Sequence, residues 1–173
     1  NYPKILKDHF ATDLICDTLR MMTMNLEDPH QVEEVIDKQI EKHHHEAHKP
    51  AHALQGMADA LPALGIVAAV LGIIKTMGAI SQPPEYLGKL IGSALVGTFL
   101  GILVSYGFVA PIASQLEQKV EESGKIYQVI KVVLLASMNG YAPQVAVEFG
   151  RKVLYSTDRP GFSELEQEIK CRK

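Results

Sequence analysis

The stretches Ala60–Ile74 (ALPALGIVAAVLGII) and Leu90–Ala113 (LIGSALVGTFLGILVSYGFVAPIA) decide how this chain folds. The first lies between Asp59 and Lys75 and stays mostly apolar through Thr76–Ile80; the second contains no charged residue, the next being Glu117. A helix needs about 20 mainly apolar residues to cross the hydrocarbon core of a bilayer. The second run meets that length outright, and the first meets it when Lys75 snorkels to the interface. Between them, Ser81-Gln82-Pro83-Pro84-Glu85-Tyr86 offers two prolines to break the helix and a tyrosine suited to the interface. The pattern predicts a transmembrane hairpin.

Outward from the hairpin the chain turns polar. Apolar residues make up 47% of the sequence, yet its mean hydropathy is only +0.05, so the apolar residues are concentrated in the two runs and the remainder is polar enough to be soluble. A net charge of −3 gives no basic footprint for nucleic acid. Cys16 and Cys171 lie far apart and form no metal or redox spacing, so they read as two reduced thiols. The chain opens Asn1-Tyr2-Pro3 with neither an initiator methionine nor a signal-peptide pattern, so further N-terminal sequence is expected. Orientation follows from lysines. Within about 20 residues of the spans, Lys38, Lys42, Lys49, Lys119, Lys125 and Lys131 lie on one side, and the connecting turn has none. Both ends of the stretch are therefore expected in the cytoplasm.

This predicts an all-α polytopic membrane protein: cytoplasmic helices over residues 1–55, a span over 56–80, a short periplasmic turn at 81–87, a span over 88–112 and a cytoplasmic helical region over 113–173. Ile5, Leu6, Phe10, Leu14, Ile15, Leu19 and Met22 fall at helical spacing, predicting one amphipathic helix over 3–24. Asp28-Pro29 reads as a cap followed by a first-turn proline, opening a helix whose Val32, Val35, Ile36, Gln39 and Ile40 face one way. His43, His44, His45, His48 and His52 follow. His44 and His48, or His48 and His52, sit one helical turn apart, as two metal ligands would. Lys42, Glu46, Lys49 and Pro50 flank them, and no cysteine or second ligand pair closes a site, so they read as a solvated helix end before Pro50. No metal or other cofactor is expected. Beyond the second span, Leu116, Val120, Ile126, Ile130 and Val133 continue an apolar stripe past Gly124. Asn139-Gly140-Tyr141-Ala142-Pro143 is a turn signal, Gln144–Leu154 a further amphipathic helix, and Ser163 with Glu166 has the spacing of a capping box.

Small residues recur every four positions in the second span, at Ser93, Gly97, Gly101 and Ser105; the first span has a similar face in Gly65, Ala69 and Gly72. In lipid such faces let helices approach closely, and one stripe per span predicts more partners than the hairpin supplies to itself. Pro62 and Pro111 each lie in the cytoplasmic half of a span, where proline kinks a helix unless neighbours satisfy the freed carbonyl. The apolar runs Ala60–Ile74 and Leu90–Ala113 hold no Asp, Glu, His or Arg, and Lys75 sits at the end of the first. Thr98, Ser93, Ser105 and Tyr106 are able to line a wet path but not to relay protons by titration, so an ion-carrying carboxylate must come from a partner.

The residues Leu61-Pro62-Ala63-Leu64-Gly65-Ile66-Val67-Ala68-Ala69-Val70, Val96-Gly97-Thr98-Phe99-Leu100-Gly101-Ile102-Leu103, Tyr106-Gly107-Phe108 and Pro111 resemble the third and fourth membrane helices of the MotA-like flagellar stator family, within the MotA/TolQ/ExbB proton channel superfamily. The likeness continues in Asn139-Gly140-Tyr141-Ala142-Pro143, Val147-Glu148-Phe149-Gly150-Arg151-Lys152, Arg159-Pro160 and Glu164-Leu165-Glu166, in order along nearly the whole chain. It implies that the family's first two membrane helices and its rotor-engaging charged segment lie outside this sequence. It also implies a homopentamer around a dimer of a MotB-like single-span protein whose membrane aspartate carries the ion. Ion passage would turn that ring against the rotor's switch-complex protein. By position, Pro62 and Pro111 match the family prolines that couple ion passage to conformational change, and Thr98 matches a threonine facing the ion path. At Ala69 sodium-driven relatives carry threonine and proton-driven ones alanine, which implies protons.

The expected function is thus a stator subunit of the flagellar motor in the bacterial inner membrane, an ion-channel part that makes no covalent bond. Two alternatives stand beside it. An ExbB/TolQ-like energiser of outer-membrane transport belongs to the same superfamily, and the Asn139–Pro143 and Val147–Lys152 segments speak against it. A passive scaffold oligomerising through its Gly97/Gly101 face predicts that Pro62 and Pro111 matter for stability alone. No phosphate loop, nucleophile constellation or metal spacing supports an enzyme.

Overall fold

The computed structural model describes residues 3–24 and 28–171, in helices throughout, with no strand among the described residues. In chain order these are α1 (Pro3–Lys7), α2 (His9–Thr23), α3 (Pro29–Met77), α4 (Pro84–Val104), a single π-helical turn (Ser105–Val109), α5 (Ala110–Met138), α6 (Pro143–Val153) and α7 (Phe162–Cys171). They form two compact units, one of residues 1–46 with 121–173 and one of residues 47–120. Asn1, Tyr2 and the side chain of Cys171 lie outside the described residues; Cys16 is an exposed free thiol.

In the first unit the helix expected over 3–24 is broken at Asp8. Its backbone is extended there, and its Oδ1 accepts the Ala11 amide at 3.1 Å, capping α2. The face of α2 that turns inward is Ala11, Leu14 and Thr18, while Ile5, Leu6 and Leu19 are exposed. The Thr18 hydroxyl is buried because it donates back to the Leu14 carbonyl at 2.7 Å, leaving no polar group unmatched. Val32, Ile36 and Ile40 of α3 are buried against this face together with Tyr127 of α5; Val35 is exposed. Asp28 opens α3 as expected, its Oδ1 accepting the His30 amide at 3.0 Å.

Charged groups align α3 and α5 at the rim of this core. Lys131 reaches Asp37 at 2.7 Å and Glu33 at 3.0 Å, two carboxylates one turn apart. Burial pulls the Lys131 ammonium down, but its hydrogen bonds to Asp37 and Glu33 outweigh that and hold its pKa above the ordinary lysine value. Burial and the hydrogen bond to Asp8, at 3.1 Å, push Tyr127 up to about 12.

Asn139-Gly140 ends α5 as expected. Gly140 takes φ 76°, the Tyr141 amide bonds the Ala136 carbonyl and the Gly140 amide that of Ser137, a Schellman closure. α6 then packs closely on α5 at Gly150, where a Cβ would stand 2.8 Å from Val133 Cγ2. Arg151 makes a two-pronged pair with Glu148, at 2.6 and 2.7 Å, and ties down the following loop by donating to the Pro160 carbonyl at 3.0 Å. Those hydrogen bonds hold Glu148 below the usual carboxylate range. Arg159 donates to the Leu154 carbonyl at the end of α6. The predicted start of the last helix shifts: α7 begins at Phe162, and Glu164, rather than Glu166, reaches back to the preceding Gly161 amide at 3.3 Å.

In the second unit, the later part of α3 and α4 form the hairpin. Both helices are long and apolar enough to cross a membrane, and their apolar windows are only 17% and 11% buried. The core helix of a soluble protein would be mostly covered; here Leu64, Val67, Leu71, Ile74, Leu95, Phe99 and Leu103 face outward. Lipid is the solvent that makes this surface stable. Residues 78–83 make the turn, and α4 starts on Pro84, whose missing amide hydrogen is harmless in a first turn.

Candidate functional site

Pro62, Gly65, Ala69, Gly72 and Thr76 follow one another at spacings of three and four, which places them on a single face of α3. Gly65 and Thr76 are buried and Ala69 is half-buried. The opposing face of α4 presents Ala94, Gly97, Thr98, Gly101 and, at the start of the π turn, Ser105. The two backbones touch. A Cβ on Gly101 would lie 2.8 Å from the Leu61 carbonyl oxygen and 3.1 Å from Gly65 Cα; one on Gly65 would lie 2.9 Å from the Gly97 carbonyl oxygen. On Gly97 it would meet Ala68 Cβ at 3.0 Å, and on Gly72 it would overlap Ala94. The small-residue faces of the two spans are therefore used on each other. Two faces, each short of side-chain bulk, close into one contact within the hairpin. Ser93 is exposed, and its neighbour Ala94 takes the buried position.

Two hydroxyls cross the contact. Thr98 Oγ1 donates to the Gly65 carbonyl at 3.2 Å, and Ser105 Oγ to the Ala58 carbonyl at 2.6 Å. The second bond has a definite cause. Pro62 has no amide hydrogen, so the carbonyl four residues earlier, that of Ala58, lacks its helical donor. Ala58 and Ser105 are 1% and 0% exposed, so no water reaches the pair and the hydroxyl is what satisfies the carbonyl. The Ser105 carbonyl in turn accepts the Ala110 amide, five residues on, which closes the π turn. Pro111 follows at once and is exposed. A π turn widens the helix by one residue, a common accommodation where proline disrupts the ladder.

The arrangement thus joins Gly65, Gly72, Thr98, Gly97, Gly101 and Ser105 in one contact, with Pro62 on the same face of α3. It leaves Tyr106 exposed and Ser105 sealed from any wet path. The residues the sequence reading did not single out are Ala58, Leu61 and Ala94; Ala58 was findable, as the carbonyl that any proline at position 62 must orphan. Between Asp59 and Glu117 the only charged groups are Lys75, Glu85 and Lys89, all near the turn. The hairpin therefore brings backbone carbonyls and hydroxyls to its interior but no carboxylate.

The histidine segment departs from expectation. α3 runs straight through Pro50, so there is no helix end there. In the first unit His43 stacks on Phe10 at 3.9 Å and meets Tyr127 edge-on, and His44 lies 3.2 Å from Glu121 Oε1. In the second unit His48 is buried. A proline in mid-helix is tolerated where the freed carbonyl, here that of the exposed Glu46, reaches water.

The profile described as the MotA/TolQ/ExbB proton channel family matches residues 6–129. The chain is 48% identical to Motility protein A of Escherichia coli K12 over 173 residues, all of this chain and 59% of that protein. It is 47% identical to Motility protein A of Salmonella typhimurium LT2 over 171 residues, or 99% of this chain and 58% of that one. Chemotaxis protein LafT of Vibrio parahaemolyticus is 34% identical over 166 residues. The chain thus spans less than two-thirds of the length of these relatives. Among solved structures, that of C. jejuni MotAB matches with a TM-score of 0.74 at 20% identity, covering 87% of this chain and 58% of that one. The flagellar MotAB stator complex from Bacillus subtilis matches with a TM-score of 0.72 at 25% identity, covering 88% and 59%.

Proposed function

This chain belongs to the MotA/TolQ/ExbB proton channel family, and on that premise we propose that the protein containing it is a stator subunit of the bacterial flagellar motor. One observation carries the choice within the family. The family profile ends at residue 129, whereas the likeness to the motility proteins runs on over all 173 residues. The additional part contains the Asn139–Pro143 turn and the Val147–Lys152 helix with its Arg151–Glu148 pair. An energiser of outer-membrane transport would share the hairpin and not this segment.

In the proposed mechanism the protein is a multi-pass inner-membrane subunit with both ends of this stretch in the cytoplasm, working as a channel part rather than an enzyme. The hairpin lacks a titratable acid, so a MotB-like single-span partner supplies the membrane carboxylate that carries the ion. Copies of this chain, five in our reading, surround that partner, and their movement acts on the rotor's switch-complex protein. Pro62 and Pro111 provide the bends that respond to ion passage. Thr98 and Ala69 lie along the path, and Ala69, lacking a hydroxyl to coordinate sodium, favours protons.

The test is the rotation of a bead on a flagellar stub, in cells lacking their own stator gene and complemented with the full-length protein and its partner. With sodium replaced by potassium, undiminished rotation that stops on adding a protonophore is expected. Rotation lost with sodium keeps the motor and overturns the ion. No rotation in either medium, with the protein present in the membrane, moves the assignment to the energiser or scaffold readings.

A further inference from the structure

Ser105 stands where the consequences of the two prolines meet. Its side chain occupies the place of the amide hydrogen that Pro62 lacks, donating to Ala58 O at 2.6 Å in a position sealed from solvent. Its main-chain carbonyl closes the π turn immediately before Pro111. An alanine here would fill nearly the same volume but leave the Ala58 carbonyl without a donor in a dry contact. Glycines do the rest of the packing around it: Gly65 and Gly101 bring the backbones close enough that a hydroxyl on α4 reaches a carbonyl of α3.

We propose that Ser105 is a positioning residue. It ties the α3 backbone, at the carbonyl that Pro62 frees, to the π turn ahead of Pro111, so that movement of one is transmitted to the other through this side-chain hydrogen bond. The bond is a property of the hairpin; its part in torque generation rests on the stator reading. Because Pro62 creates the need for the hydroxyl, the two residues should be energetically coupled, and the coupling has a definite sign. In Pro62→Ala the restored amide satisfies Ala58, and the Ser105 hydroxyl becomes dispensable.

The experiment uses the full-length protein purified with its membrane partner, and the same variants in the bead assay. Ser105→Ala should lower the Tm of the complex and slow rotation several-fold. Ser105→Cys, similar in size with a weaker donor, should fall between. In the Pro62→Ala background, adding Ser105→Ala should leave the Tm unchanged. An unaltered Tm for Ser105→Ala, or the same loss in both backgrounds, would overturn the proposal, since the side chain would then act by packing alone. Where Ser105→Ala fails to assemble, assembly restored by Pro62→Ala supports the bond, and no restoration overturns it. If the parent complex itself turns no bead, the stator reading fails, while the Tm comparison still decides the bond.

Discussion

Gly101 and Gly92 are the same residue type on one helix and carry opposite expectations. A methyl on Gly101 would press on the Leu61 carbonyl and Gly65 Cα, backbone atoms that cannot swing aside, whereas nothing lies within 4 Å of one on Gly92. Gly101→Ala should therefore force the two helices apart at a cost of about 1–3 kcal/mol. Gly92→Ala should be neutral or stabilise the helix by up to about 1 kcal/mol through its better propensity. Thermal unfolding of the complex carrying each substitution checks the pair; equal effects would mean the glycines are not distinguished by this contact. Both glycines are visible in the sequence, but only the approach of α3 tells them apart. The GxxxG pattern of Gly97 and Gly101 marks a face able to pack closely and is silent on whether the neighbour is in the same chain.

At the scale of elements, α6 and the loop behind it depend on one side chain. Arg151 uses Nε and Nη2 for Glu148 and Nη1 for the Pro160 carbonyl. A lysine has a single ammonium and cannot hold both in that geometry. Arg151→Lys should release the loop over residues 154–161, seen as faster cleavage there in limited proteolysis with the rest of the protein unaffected. The Arg151 hydrogen bonds keep Glu148 below the ordinary carboxylate value, so the pair's contribution is present at neutral pH and is lost as pH falls through that depressed value. Among the elements, those with strong local signals were legible in advance: the Asp28 start of α3, the Gly140 turn and the two spans. Three were not. Asp8 breaks the first helix because its carboxylate satisfies the orphan Ala11 amide, an option that periodicity does not register. Pro50 fails to end α3 because a single lost hydrogen bond at an exposed position is outweighed by the helix on either side. The π turn at Ser105–Val109 has no sequence period of its own.

At the scale of the whole molecule, pH acts on the polar unit through two groups of α5. Tyr127 is held up to about 12 by burial and by Asp8, against 10.0 ordinarily. Between those values the unfolded chain has released the tyrosine proton and the folded chain has kept it, so stability is intact below pH 10 and declines as pH rises towards 12. Lys131 is also held above its ordinary value; its stabilising pairs persist through neutral pH and weaken as pH climbs past that raised value. Tyr127→Phe should accordingly flatten the alkaline decline in Tm of the full-length protein measured in detergent. A decline of unchanged steepness would place its origin elsewhere, with Lys131→Met as the next variant to measure.

The sequence alone settled the class of the molecule: two apolar runs of membrane length, helical periods elsewhere, no intramembrane acid, and motifs in family order from Leu61 to Glu166. Those features are local, and solvent selects them directly, because a backbone in lipid must satisfy its own polar groups, as an apolar helical run does within itself, and a polar stretch must stay in water. The pairings were decided only by the tertiary structure. That Ser105 faces the Ala58 carbonyl, and that Gly65, Gly97 and Gly101 meet across the hairpin, depends on which helix of the chain lies opposite. Both were settled by the orphaned carbonyl at Ala58 and by the close approach that Gly65 and Gly101 permit.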